Sequence, residues 1–190
     1  QFITKWGSYG SGDGQFYCPI GVAVDSSGNV YVVDQNHRIQ KFTSSGQFIT
    51  KWGSYGSGDG QLYYPYGVAV DSAGNVYVAE HYNHRIQKFT SFGAFSAKWG
   101  SYGSGDGQFS YPTGVAVDSA GNVYVADYNN CRIQKFTSSG QFITKWGSYG
   151  SGDGYFYYPR GVAVDSAGNV YATDWDNHRI QKFTNAGRFI

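Results

Sequence analysis

The chain has 190 residues, and its 14 Lys and Arg nearly balance its 13 Asp and Glu, giving a formal net charge of +1. This balance excludes the basic footprint that grips a nucleic-acid backbone, so we expect no nucleic-acid partner. No apolar run approaches the roughly 18 residues of a membrane-spanning helix, so we expect no membrane span. Aromatic residues are 19% of the chain and Gly contributes 28 residues, a mixture typical of short strands joined by tight turns.

The chain contains four copies of one unit. Aligned on Trp6, Trp52, Trp99 and Trp146, the copies are spaced by 46, 47 and 47 residues. The units cover residues 1–46, 47–93, 94–140 and 141–187, and we expect them to form a single domain. A period in the forties is typical of a propeller blade or of a repeat built from helix pairs.

The second unit shows which of the two it is. Residues 67–70 (GVAV) are apolar throughout, as in a strand covered on both faces. After the turn DSAGN, residues 76–79 (VYVA) and 85–89 (RIQKF) read as further strands, and residues 95–99 (FSAKW) alternate like an outer strand. No apolar helical period of useful length occurs. Four strands per unit predict an all-β propeller with four blades of four antiparallel strands.

The amino-acid pattern of the unit also resembles that of a known family. The pattern P-x-G-V-A-V-D-S-x-G-N-V-Y-V-x-D-x-x-N-H-R-I-Q-K-F recurs, preceded by W-G-S-x-G-S-G-D-G-x-F. It resembles the NHL-repeat family of β-propellers over essentially the whole chain. The resemblance implies the propeller fold, but family members include RNA-binding, protein-binding and lyase-type propellers. Such propellers commonly have six blades, whereas this chain has four units.

Closure of the ring is a separate question. The chain begins with an outer-type strand, residues 2–6, and ends soon after a third-type strand, residues 179–183. We expect the N-terminal strand to pair beside residues 179–183 and close the last blade, because this removes an open edge. The alternative is an open arc, or exchange of the spare strand with a neighbouring molecule.

The repeats differ most in one set of loops. The linker before each inner strand and the loop between the second and third strands emerge together, and we call this surface the aromatic loop face. Large aromatic side chains in exposed loops are typical of recognition surfaces. Tyrosines that recur just before the Pro of each unit are expected to wedge between blades instead. The non-recurring residues predict a site for a protein, peptide or glycan, although sequence drift is an alternative, and they are Tyr66, His81, Tyr82, Tyr128, Arg160 and Trp175.

Other motifs favour structural roles. His37, His84, Cys131 and His178 share one repeat position, but they lie on different blades and cannot converge on one zinc ion. An acidic residue after each second strand should form an ion pair with the Arg that opens the third strand. The SGDG segments lack the Lys and the helix of a phosphate loop, so we expect tight turns, with weak calcium binding as the alternative. We expect no catalytic residue, metal or cofactor.

The two cysteines, Cys18 and Cys131, fall in the first and third repeats, too far apart to bond to each other. The two cysteines are therefore either free thiols or the sites of an inter-chain disulfide. The sequence thus predicts a non-catalytic binding or assembly module, and its low charge favours an extracellular location. The alternatives are a subunit of an extracellular fibre or oligomer formed by self-association, and a propeller lyase or hydrolase with an axial metal.

Overall fold

The computed structural model describes residues 1–190 and is all β. Its 15 strands form four antiparallel sheets, one for each repeat, so the predicted propeller fold is confirmed. No helix in the structure is long and apolar enough to cross a membrane. The strands are β1 (Gly21–Val24), β2 (Val30–Asp34), β3 (Arg38–Phe42), β4 (Phe48–Trp52), β5 (Pro65–Val70), β6 (Val76–Glu80), β7 (Arg85–Phe89), β8 (Phe95–Trp99), β9 (Pro112–Val117), β10 (Val123–Asp127), β11 (Arg132–Phe136), β12 (Phe142–Trp146), β13 (Pro159–Val164), β14 (Val170–Asp174) and β15 (Arg179–Phe183).

Each sheet is a simple meander. In blade 2 the order is β5-β6-β7-β8, with β5 innermost and β8 outermost. The tight turn between the first two strands is set by Asp71, whose Oδ1 accepts the backbone N–H groups of Ala73 and Asn75. The hydroxyl of Tyr77 donates to Oδ2 of the same carboxylate at 2.9 Å. The predicted turn-forming role of this Asp is therefore confirmed, and the other three blades repeat it.

The hydrophobic core lies between the blades. One buried cluster joins blades 1 and 2, a second joins blades 2 and 3, and a third joins blades 3 and 4. Inner strands meet closely because each carries a Gly at the contact. A Cβ on Gly67 would lie within van der Waals overlap of the Thr113 carbonyl oxygen in the next blade. The close packing of neighbouring inner strands therefore depends on the absence of a side chain at these positions.

The expected closure of the ring is wrong. Residues 1–6 form no strand, and Phe2 and Ile3 are 75% and 91% exposed. The last blade has only β13, β14 and β15, with a single additional bridge between Phe183 and Phe189. The chain is an open arc with two uncovered end faces. Closure would remove the open edge, but β1 packs against β5 and β13 against β9, and the two end blades do not pack against each other.

Candidate functional site

The position after Pro in each repeat points toward the hub of the arc. Tyr66 stands there in blade 2 and Arg160 in blade 4, and Arg160 Nη1 donates to the Tyr66 hydroxyl at 3.3 Å. These two residues are 94 positions apart in the chain, so the bond crosses from one blade to the next but one. The hub is therefore filled by side chains that differ from repeat to repeat.

The guanidinium of Arg160 is surrounded by aromatic rings. Its central carbon lies 5.4 Å from the centroid of the Tyr128 ring and directly over the ring of Trp175. An Arg over aromatic faces gains cation–π attraction while its charge stays available to a ligand. The positive charge of the hub is thus concentrated at one fixed side chain.

His81 completes the group. Its ring centroid lies 5.4 Å from that of Tyr66 and 6.3 Å from that of Tyr128. Burial lowers the pKa of His81, and the positive charges of His84 and Arg160 lower it further, while a hydrogen bond to the backbone of Pro112 opposes the shift. The ring is therefore neutral at physiological pH, so that one nitrogen is a hydrogen-bond acceptor.

A small cavity of about 110 Å³ lies among these residues, lined by Tyr66, His81, Thr113, Tyr128 and Arg160. Two nitrogen atoms of its lining, His81 Nδ1 and Arg160 Nε, are buried and have no hydrogen-bond partner in the protein. Buried polar atoms are satisfied in nearly all folded proteins. These two atoms are therefore unsatisfied polar groups in the residues that line the cavity.

The last two predicted residues lie at the rim. Tyr82 is 42% exposed and packs 5.1 Å from His81, and Trp175 is 46% exposed beside Arg160. A wider cavity of about 640 Å³ continues from Arg160 and Trp175 onto the end face of blade 4. The structure thus brings all six predicted residues into one connected group, and their role in binding stays a prediction.

Sequence reasoning missed Thr113. This residue is buried, and its hydroxyl donates to the Arg160 carbonyl oxygen at 2.9 Å, which ties blade 3 to blade 4 beneath the cavity. The available signal was its repeat position, which it shares with Tyr66 and Arg160. Its small, non-aromatic side chain gave no other indication.

The recurring tyrosines do wedge between blades, as predicted. Tyr64 contacts His37 of blade 1 and Tyr82 of its own blade, with centroids 5.6 and 4.9 Å apart. Tyr158 stacks on Tyr128 of blade 3 at 4.6 Å. These rings form the floor and side walls of the aromatic loop face.

The His position proves to be a joint between blades. His37 Nδ1 accepts the backbone N–H of Tyr64 at 3.3 Å, and His84 Nδ1 accepts that of Tyr111 at 3.1 Å. Cys131 takes this position in blade 3, where it is buried in the core between blades 3 and 4 and burial raises the pKa of its thiol. An inter-chain disulfide through Cys131 is therefore incompatible with this fold, whereas Cys18 is exposed.

The acid–Arg pairs are also as predicted. Asp34–Arg38, Asp127–Arg132 and Asp174–Arg179 have N–O distances of 3.2, 2.7 and 2.8 Å, and Glu80 pairs with Arg85. The same arginines donate to carbonyl oxygens of the SGDG linkers, as Arg132 does to Ser104 and Gly105. The linkers are therefore turns fixed by hydrogen bonds from these arginines, and they support the aromatic loop face.

Comparison with known proteins assigns the family. The NHL repeat model matches residues 16–42, 62–89, 109–136 and 156–183, which together exceed half of the chain. The chain belongs to the NHL repeat family. No curated protein matches this NHL-repeat chain in a sequence search.

Solved structures with the same fold are larger. A streptogramin B lyase superimposes with a TM-score of 0.70 at 20% identity, over 90% of this chain and 53% of that chain. Virginiamycin B lyase from Staphylococcus aureus gives 0.69 at 20% identity, over 91% and 54%. A gluconolactonase from Xanthomonas campestris gives 0.68 at 16% identity, over 90% and 60%. The NHL-repeat chain spans little more than half the length of these proteins, and the likeness is one of fold.

Proposed function

We propose that this NHL-repeat chain is a non-catalytic binding module whose aromatic loop face takes a peptide or glycan bearing a carboxylate. The observation that carries the proposal is the convergence of the non-recurring residues on one cavity. Arg160 and His81 reach it from blades 4 and 2, and each presents a buried nitrogen without a partner. These repeat positions meet at the hub in every blade, and what supports binding is that Arg160 and His81 stand there with unpaired nitrogen atoms.

The chemistry of the cavity selects the ligand class. An Arg guanidinium binds carboxylates through charge-assisted hydrogen bonds. The cavity volume of about 110 Å³ is below the roughly 300–1,000 Å³ of ordinary small-molecule sites. It therefore fits one end group of a ligand, while the rest of the ligand lies across the exposed rings of Tyr82 and Trp175. Aromatic rings stack well on sugar and peptide surfaces.

The likeness to a lyase and a gluconolactonase concerns the fold alone, and the role of the hub in this chain is to bind a ligand without changing it. We propose that the module acts outside the cytoplasm, consistent with its low charge content and its abundant Tyr and Gly. Its affinity should depend on salt only weakly, because most of the contact is aromatic and one charge pair is involved.

The test is a binding screen with an acidic-glycan array and a peptide library containing free carboxylates, followed by titration of the hits. Arg160→Gln should weaken binding about tenfold or more, because a hydrogen bond to a charged group contributes about 1.5–3 kcal/mol. Arg188→Gln is the matched control, since Arg188 is exposed on the opposite set of loops. Equal affinities of the two variants, or hits that lack a carboxylate, would sink the proposal.

A further inference from the structure

The three blade interfaces inside the chain repeat the same contacts. The inner-strand glycines Gly21, Gly67 and Gly114 each lie against the backbone of the next inner strand. A Lys of each third strand donates to a carbonyl of the next blade's outer turn, as Lys41 does to Ser91 at 3.3 Å. Lys88 and Lys135 repeat this contact at 3.2 Å. The interface is thus a modular surface with a leading side and a trailing side.

Blade 4 presents the leading side without a partner. Ile180 is 69% exposed, whereas its equivalents Ile39, Ile86 and Ile133 are all 0% exposed. Gly161 meets only Thr173 of its own blade, instead of a neighbouring backbone. Lys182 contacts the Tyr171 ring of its own blade. The equivalent lysines of the other blades also donate to a carbonyl oxygen in the outer turn of the next blade, and Lys182 has no such acceptor within the chain.

Blade 1 presents the matching trailing side. Val22 is 66% exposed, whereas Val68 and Val115 at the same position are 6% exposed. A cavity of about 350 Å³ lies on this face, lined by Trp6, Phe16, Val22, Val30 and Val32 among others. In the interfaces inside the chain, the Tyr and Ile of the preceding blade occupy the corresponding space.

The N-terminal segment fits the same scheme. Outer-strand lysines pair with the linker Asp of their own blade: Lys51 with Asp13 at 2.6 Å and Lys98 with Asp59 at 2.5 Å. By repeat position, the remaining Asp153 would pair with Lys5. Trp6 already packs on Phe42 of blade 1 at 6.0 Å. Trp52 makes the equivalent contact with Phe89 of blade 2 and also touches Tyr31 of its own blade at 6.3 Å. By repeat position, the second contact of Trp6 would be Tyr171 of the other copy.

We propose that a second copy of this chain covers both end faces, blade 4 of each copy packing against blade 1 of the other in a closed ring of eight blades. Residues 4–6 of one copy continue the outer strand that Phe189 begins beside β15 of the other. Lys182 donates to the Ser44 carbonyl, Lys5 pairs with Asp153, and the backbone N–H of Cys18 donates to His178 Nδ1. Each is the contact that the interfaces inside the chain make at the same repeat position.

The extent of the arc favours two copies. Its four blades superimpose on 53% of the streptogramin B lyase chain, so two arcs supply about as much chain as that larger protein has. Two such arcs joined head to tail use every leading and trailing side and leave no open edge, which is the condition for a closed assembly. The occupant is a second copy because the missing surface is the chain's own repeat surface, position by position.

The first measurement is molar mass by light scattering on size-exclusion chromatography over a range of concentrations. The wild-type chain should have twice the monomer mass of 20.9 kDa. Ile180→Asp should convert it to a monomer of unchanged circular dichroism, because Ile180 is already solvent-exposed in one chain. Ile143→Asp is the matched control, since Ile143 is 45% exposed on the outer strand of blade 3, and this variant should stay dimeric.

The second measurement locates the contact. Isotopically light and heavy copies are mixed, cross-linked with a carbodiimide and digested for mass spectrometry. A light–heavy Lys5–Asp153 cross-link is expected, while the Lys51–Asp13 cross-link should occur only within a copy. A monomeric wild type, a polymer that grows with concentration, a dimeric Ile180→Asp variant or a dimer without the Lys5–Asp153 cross-link would each overturn the proposal.

Discussion

At the residue scale, the backbone of this protein is unusual at two positions of each repeat. Eight residues other than Gly have φ between 44° and 61°, in the left-handed region that costs an ordinary residue about 1–2 kcal/mol. They are the His position and the Tyr position that meet across a blade interface, as His84 and Tyr111 do. Because the strain recurs in every repeat, it belongs to the joint between blades and does not mark the binding site.

The joint makes stability depend on pH. Burial lowers the pKa of His37 and His84 from 6.5, with nearby Asp34 opposing the shift for His37. Only the uncharged ring accepts a hydrogen bond at Nδ1. In the unfolded chain the rings protonate as the pH falls through 6.5, whereas the folded rings resist. The stabilisation is therefore complete above 6.5 and is lost progressively as the pH falls from there toward the lower folded values.

Urea unfolding at about pH 7.5 and about pH 5.5 measures this effect. The wild type should be less stable at the lower pH, and His37→Asn with His84→Asn together should reduce the difference, since Asn tolerates the left-handed backbone. The remaining difference comes in part from His81, whose pKa is also lowered by burial. His178→Asn in the monomeric Ile180→Asp background is the control, because in a single chain His178 is exposed and its ring has no partner. An unchanged pH dependence in the double variant would contradict the role of the joint.

At the element scale, the third strand of each blade holds the preceding linker in place through its side chains. In blade 2, Arg85 pairs with Glu80 and donates to the carbonyl oxygens of Ser57, Gly58 and Gln61 in the preceding linker. Gln87 adds a bond from its amide to the Gln61 carbonyl at 2.6 Å. The strand therefore holds the linker that carries the aromatic loop face, so that the binding surface depends on a buried ion pair.

Removing the Arg should expose this dependence. Arg85→Met leaves Glu80, which is 0% exposed, as an unpaired buried charge, and loss of one partner of such a pair costs about 3–5 kcal/mol of unfolding free energy. In the monomeric Ile180→Asp background Arg179→Met should cost clearly less than Arg85→Met, because in a single chain the side chain of Arg179 is 28% exposed against 8% for Arg85. Denaturant unfolding of the two variants checks the order, and equal losses would speak against burial as the cause.

At the scale of the whole molecule, the sequence predicts the blades but not the ring. Period, turn residues and the apolar inner run of Gly67–Val70 specify each sheet, because these are local signals. The sequence could also predict Tyr66 and Arg160 as candidate site residues, because each differs from the residues at the same position of the other repeats. The closure could not be predicted, because the contact of Gly67 with the Thr113 backbone would be the same in rings of different size. The angle between blades depends on side-chain packing at each interface.

The most direct test of the open arc is a distance within one chain. Spin labels are placed on Ser45 and Ala186, exposed turn residues of blades 1 and 4, in a Cys18→Ser background diluted with unlabelled protein. A reference pair on Ser139 and Ala186 reports the separation of adjacent blades. If the chain is an open arc, double electron–electron resonance should give a longer distance between Ser45 and Ala186 than between Ser139 and Ala186. Equal distances would mean that the chain closes on itself, which would contradict the account.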